Sequence, residues 1–257
     1  MEEFKMQAVK YLERVGLSHK GCDGSLDFLK KLQEAHIYSV PYENVDIVNG
    51  VHVSLEIEDI YEKIVERKRG GYCFELNALF AWLLSKIGYS VESYFARFWR
   101  GESKTPLRRH RVLGVTIGEE KYIVDVGIGS PAPRFPLLLK AGLVQEGFGE
   151  SYRFEYEKEL GWVLYEQTHG EWKRYFSFTE EWQFDIDFIQ PSFYCEKHPD
   201  SIFNKGLIVA VKTPDGRKSI DKNCFKRFVG RELAEIRDGL SSDEIKEILS
   251  LEFGIVV

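Results

Sequence analysis

The hydrophobic pattern of this chain changes period near residue 90, and neither an all-α nor an all-β fold accommodates the change. Before that point apolar side chains recur at helical spacing: Phe4, Ala8, Leu12 and Val15; then Leu29, Leu32 and His36; then Ile57, Ile60 and Ile64; then Leu76, Phe80, Leu83, Leu84 and Ile87. Each set shares one face of a helix, so four helices are expected in the first third. Gly70 and Gly71 stop the third, and Gly88 closes the fourth as a C-terminal cap. From residue 90 the segments "SVESYFARFW", "HRVLGVTI", "KYIVDVGI", "YRFEYEK", "GWVLYEQT" and "WKRYFSF" are short and rich in aromatic and β-branched residues. Turn formers separate them, so they read as an antiparallel sheet or barrel. The segment "GIGSPAPRFPLL" carries three prolines. It cannot continue as a central strand, and a surface loop is expected directly after Asp125. The last third predicts a helix over 181–189, a hairpin turning at Asp215-Gly216, and a terminal helix that starts at Ser242. The fold class is therefore α+β: helices over 1–89, an antiparallel barrel or sheet over 90–190 and a smaller α/β part over 191–257. With no repeat or low-complexity linker, one compact unit is expected.

Composition narrows the function. Lys and Arg total 35 against 41 Asp and Glu, a net charge of −6. With no long basic run, nucleic acid is not the expected partner, although Arg108, Arg109 and Arg111 form one local cluster. No apolar run approaches the roughly 20 residues of a membrane helix. The start "MEEFKMQAVKYLERVGL" is charged rather than a signal peptide, so no membrane and a cytoplasmic location are expected. The four cysteines, Cys22, Cys73, Cys195 and Cys224, show no paired spacing. Neither a disulfide framework nor a metal site is expected from them, and Cys22, Cys195 and Cys224 read as structural thiols.

Cys73 is the exception. It follows two glycines in "RKRGGYCFELN" and opens a helix, where the dipole and unpaired backbone N–H groups favour a thiolate. The glycines let the backbone turn tightly and leave room for a substrate. A free cysteine is more often a small buried hydrophobe, so the position alone does not decide. A thiolate nucleophile needs a base and a group that orients the base. His110 and Asp125 meet that need: the chain between them reverses near Gly118-Glu119-Glu120, so the two side chains can face each other across adjacent strands. Asp125 inside "YIVDVGI" also requires a hydrogen-bonding partner if it is buried.

These residues carry a family resemblance. "RGGYCFELN" at 69–77, "VPYENVDI" at 40–47, His110 leading "HRVLGVTI" and "YIVDVGIG" at 122–129 resemble the arylamine N-acetyltransferases over about residues 5–220. The resemblance implies a papain- and transglutaminase-like cysteine-enzyme arrangement with a C-terminal α/β lid. It implies an acetyl-CoA-dependent acyltransferase that acts on arylamines or hydrazines, a xenobiotic activity with coenzyme A as product. Carried over, Cys73 is the acetyl acceptor, His110 its base and Asp125 the orienter of His110. Glu43 matches the acid that pairs with the motif arginine, Arg69, in a partly buried structural salt bridge. Gly127, Ile128, Gly129 and Ser130 match the acceptor-pocket loop; Ile128 replaces a position that is often aromatic. Phe203 matches a cleft aromatic, and Gly129 and Thr213 match coenzyme contacts. The alternatives are a cysteine hydrolase of transglutaminase or peptidase type and a non-catalytic binder of acyl or aromatic ligands.

Overall fold

The computed structural model describes residues 2–99, 101–129 and 131–256, except for the side chains of 2–6. Ser130 and the side chain of Phe4 lie outside the described residues. The first third forms α1 (Glu2–Arg14), α2 (Leu26–Ser39), β1 (Tyr42–Glu43), α3 (Val45–Val48), α4 (Ile57–Tyr61) and α5 (Cys73–Lys86). These include the four expected helices, with the short α3 added between them. Ser25 caps α2 by accepting from Phe28 N, and Gly88 follows α5 with φ of 98°. The helix α4 runs directly into a π-helical turn over Glu62–Glu66.

The middle third forms one eight-stranded antiparallel sheet: β2 (Ser90–Phe98), β3 (His110–Ile117), β4 (Glu120–Val124), β5 (Leu137–Leu138), β6 (Val144–Gly147), β7 (Glu150–Glu157), β8 (Gly161–Thr168) and β9 (Glu171–Trp182). Their order is β5-β4-β3-β2-β9-β8-β7-β6. The two edges meet through one side chain. The Gln145 amide donates to Leu138 O at 2.9 Å, and its oxygen accepts from Leu138 N at 2.7 Å. A side-chain amide thus stands in for a strand ladder and brings the sheet close to a closed barrel, which limits its exposed edges.

The rest forms α6 (Ile189–Lys197), β10 (Ile208–Thr213), β11 (Gly216–Asp221), β12 (Cys224–Val229), β13 (Glu232–Arg237) and α7 (Ser242–Phe253). Here β1 from the first third pairs with β10, Tyr42 opposite Ala210, and becomes the edge of a second sheet ordered β1-β10-β11-β12-β13.

Several expectations are corrected. Residues 181–189 are not one helix: β9 continues to Trp182, and α6 starts only at Ile189. The hairpin turn is Pro214-Asp215, because Gly216 already pairs with Thr213. The cap of α7 is Ser241, which closes a capping box with Glu244. The proline segment is not a surface loop. Ala132, Pro133, Arg134 and Pro136 are buried, and Pro133 O accepts from the buried Gln33 amide at 2.8 Å. Proline removes a ladder donor, but it costs nothing where side chains from other elements satisfy the remaining backbone groups.

The helix α5 lies at the centre, with Phe74, Leu76, Leu79, Phe80, Leu83 and Leu84 fully buried. One apolar cluster joins it to α1, α2 and the inner face of β3 and β4 through Leu113, Val115 and Val124. His36 is sealed into this cluster beside Phe80, with Nδ1 2.8 Å from the Tyr11 hydroxyl. Burial lowers its pKa from 6.5 to about 3, and Arg14 adds to the effect. Between those values the unfolded chain binds a proton that the folded chain refuses, so stability must fall as pH drops below about 6.5. The expected loss is up to about 1.4 kcal/mol per pH unit from this residue. Denaturant unfolding of the wild type and of His36→Gln at pH 7 and pH 5 checks this: the variant should show the shallower pH slope, and equal slopes would remove His36 as the cause.

Candidate active site

The nucleophile loop is held by close packing. A Cβ on Gly70 would lie 2.0 Å from Pro41 O, and one on Gly71 would lie 3.0 Å from Glu75 Cβ. Neither glycine lines the cavity at Cys73. They make room for the protein's own backbone and for Glu75, not for a substrate. Glu75 closes the first turn of α5 by accepting from Tyr72 N at 3.1 Å, and it also binds Lys63 at 2.8 Å.

That contact belongs to a larger network. Arg69 binds Glu43 at 2.8 Å, as the motif suggests, but also Asp46 at 2.9 Å. Lys63, carried by the π-helical turn, joins Asp46 at 2.6 Å to Glu75. Burial alone would lower the Lys63 pKa, yet Glu75, Glu43 and Asp46 outweigh it and raise the value. Glu75 itself is pushed up by burial despite Lys63. Glu43 spends its second oxygen on Val45 N at 2.7 Å, so the buried charges are both paired and hydrogen-bonded.

His110 and Asp125 meet as the alternation of β3 and β4 suggests. The imidazole Nε2 lies 2.6 Å from Asp125 Oδ2, with both side chains buried. Asp125 Oδ1 accepts from Gly127 N at 2.8 Å and from Asn77 Nδ2 at 2.9 Å. Asn77 is fully buried one turn after Cys73. It also donates to Arg111 O at 2.6 Å and accepts from Val126 N at 3.0 Å. It therefore ties the helix that starts at Cys73 to β3 and to the segment after β4. Its signal in the sequence is a lone amide inside the apolar run of "CFELNALFAWLL". Gly127 is needed where the chain passes α5, because a Cβ there would lie 2.8 Å from Cys73 Cα and 2.6 Å from Asn77 Nδ2.

Cys73 and His110 line one cavity of about 510 Å³. Since Nε2 is engaged by Asp125, Nδ1 is the ring atom left for the thiol. Phe98 and Phe176 flank the imidazole, with ring centroids 6.1 and 6.4 Å away. Burial pushes the Cys73 thiol well above its usual range; Cys195 and Asp125 add to this, while backbone N–H groups of Arg111 and Phe74 oppose it. Burial therefore opposes the pull of the helix start on this thiol. Apolar walls come from Tyr42, Ile128, Phe203 and Ile208, and cations from Arg109, Lys205 and Lys222.

The remaining sequence candidates separate. Gly127, Ile128 and Phe203 line the cavity. Gly129 packs just behind it, its would-be Cβ 3.1 Å from Tyr42 Cβ. Thr213 is outside the lining, its hydroxyl donating to Asp215 at 2.8 Å. Arg111, from the local arginine cluster, packs into the protein. It is buried, donates to Ser93 at 2.8 Å, pairs with Asp185 at 2.7 Å and lies over the Phe188 ring. Arg109 alone of its cluster lines the cavity. Among the described residues no His, Cys, Asp and Glu group has metal-ligand geometry, and no helix is long and apolar enough to cross a membrane.

Asn77→Ala leaves Asp125 and the Arg111 carbonyl short of donors, so a stability loss of about 1–3 kcal/mol is expected. Alkylation of Cys73 by iodoacetamide at neutral pH should slow in the same variant, because His110 loses its fixed orientation. Stability and alkylation both unchanged would show that Asn77 does not carry the junction.

Comparison with known proteins agrees with this geometry. A family model described as N-acetyltransferase matches residues 25–257. An arylamine N-acetyltransferase of Mycobacterium tuberculosis is 36% identical over 256 residues, covering 96% of this chain and 88% of the relative. One from Escherichia coli is 31% identical over 235 residues, covering 91% and 83%. Among solved structures, the Salmonella typhimurium enzyme superposes with a TM-score of 0.92 at 29% identity, covering 97% of this chain and 91% of that one. The Mycobacterium marinum enzyme in complex with CoA gives 0.89 at 32% identity, covering 96% and 92%. With this extent of match, this chain belongs to the arylamine N-acetyltransferase family.

Proposed function

We propose that this protein transfers an acetyl group from acetyl-CoA to arylamines or hydrazines through an acetyl-Cys73 intermediate. The observation that carries the reading is the one cavity lined by both Cys73 and an imidazole whose Nε2 is already bound to a buried carboxylate. In the first half-reaction His110 Nδ1 takes the thiol proton, and the sulfur attacks the thioester carbonyl. Backbone N–H groups at the start of α5 stabilise the tetrahedral oxyanion. The carbon–sulfur bond to the coenzyme breaks, and its thiolate leaves with the proton held by His110. One thioester replaces another, so the step is close to balanced in energy. In the second half-reaction the amine attacks acetyl-Cys73, His110 accepts the amine proton and then returns it to the departing Cys73 sulfur. Asp125 holds the imidazole tautomer and stabilises the imidazolium between steps.

The walls suit these substrates. Phe98, Ile128 and Phe203 offer apolar faces to an aromatic ring beside the sulfur. Arg109, Lys205 and Lys222 supply cations for the coenzyme phosphates, in keeping with the CoA-bound structure of the M. marinum relative. Arg69 and Glu43 act as supports for the Cys73 loop and touch no substrate. The functional division is helices 1–89 with the nucleophile, barrel 90–190 with His110 and Asp125, and the remainder as the lid over the cleft. A cytoplasmic location fits the donor, a cytoplasmic metabolite, and the free thiols.

Mass spectrometry of the intact chain after brief exposure to acetyl-CoA tests the reading. One added acetyl group is expected, absent in Cys73→Ala and discharged by an arylamine as the acetylated amine. Loss of the adduct to water at the same rate without amine would make the protein a hydrolase, and an adduct that no amine removes would make it a binder. His110→Gln should lower kcat/KM for acetyl transfer by about 10²–10⁴-fold.

A further inference from the structure

A second cavity, of about 840 Å³, lies where the barrel meets the C-terminal sheet, and among the described residues it shares only Pro131 with the cavity at Cys73. Its lining includes Arg134, Lys212, Arg217 and Arg231, together with the carboxylates of Glu150, Glu166 and Asp215. The cations fall into two pairs. Arg134 and Lys212 are buried and already engaged: Arg134 donates to Tyr38 Oη, Thr213 O and Gly216 O, and Lys212 is ion-paired to Glu150, which Arg134 Nε also approaches at 3.5 Å. Even so, burial lowers the Lys212 pKa to about 8 against the pull of Glu150, with Arg134 adding to the shift.

The second pair is positioned without a direct ion pair among the described residues. Arg217 lies flat on the Phe228 ring, 3.7 Å from its centroid, and Arg231 donates to Gly149 O at 2.6 Å. Among the described residues neither makes an ion pair within 4.0 Å. Among the described residues none of the lining carboxylates makes an ion pair with either arginine: Glu150 is taken by Lys212, Asp215 is exposed and accepts from Thr213, and Glu166 acts on both arginines only through space. Two guanidinium groups, one held on an aromatic ring and one by a carbonyl, line one cavity with two buried cations, a composition that suits an oxyanion.

We propose that this cavity binds a small dianion, inorganic phosphate or a phosphate ester, at Arg217 and Arg231, and that this site is separate from that of the acyl donor. Calorimetric titration of the whole protein with inorganic phosphate at constant ionic strength tests it without reference to the transferase reading. Saturable binding is expected, weakened at least about tenfold in Arg217→Gln/Arg231→Gln. A charge-matched control, Lys140→Gln/Lys158→Gln, removes two exposed lysines elsewhere and should leave binding within about twofold of wild type, a change small on the free-energy scale. Absence of saturable binding, or equal weakening in both variants, would overturn the site. The KM for acetyl-CoA in the arginine variant decides the source of the phosphate: it should be unchanged, and a rise alongside lost phosphate binding would assign these arginines to the donor and overturn the claim of a separate site.

Discussion

Everything at the site converges on the carboxylate of Asp125, which is buried. Among the described residues three donors reach it: His110 Nε2, Asn77 Nδ2 and Gly127 N. Each comes from a different piece of structure, namely β3, α5 and the segment after β4. An ionised carboxylate in such a place is costly unless it is fully hydrogen-bonded. The three pieces are therefore held in one relative position. The helix that carries Cys73 cannot slide along the barrel without stripping a donor from that carboxylate.

The second constraint lies beneath the nucleophile loop. Three acids, Glu43, Asp46 and Glu75, share two bases, Lys63 and Arg69. Loss of one base leaves a buried acid uncompensated, whereas loss of a whole pair removes the charge along with its partner. Gly70 belongs to the same device, since its missing side chain lets Pro41 O approach and brings β1 alongside the loop. Because β1 then pairs with β10, the same contacts connect the nucleophile to the sheet whose residues wall the cavity.

What the sequence made legible follows from locality. The helical and strand periods, the cysteine at a helix start, and the facing of His110 and Asp125 across one hairpin all depend on short stretches of chain, and the structure agrees with them. Glu43 and Arg69 were legible only through a resemblance, because nothing in their spacing places them together. Asn77, Asp46, Lys63 and Glu75 were not read, since their partners are set by packing between elements. Asn77 did leave a trace as an amide in an apolar helix. The strand β13 went unread for a different reason: "ELAEIR" is made of helix formers and is largely exposed, so neither propensity nor alternation marks it as a strand. The pairing with β12 decides its state.

The thiol shows how far a local reading can mislead about mechanism. A helix start lowers a cysteine pKa, and taken alone that argues for a standing thiolate at Cys73. Packing reverses the sign, because burial and the nearby Cys195 and Asp125 push the value up by more than the N–H groups of Arg111 and Phe74 bring it down. In the proposed mechanism His110 takes the thiol proton, and Asp125 holds the imidazole on its far side. In that mechanism the proton taken from Cys73 stays beside the reacting atoms, available to the coenzyme sulfur as it leaves.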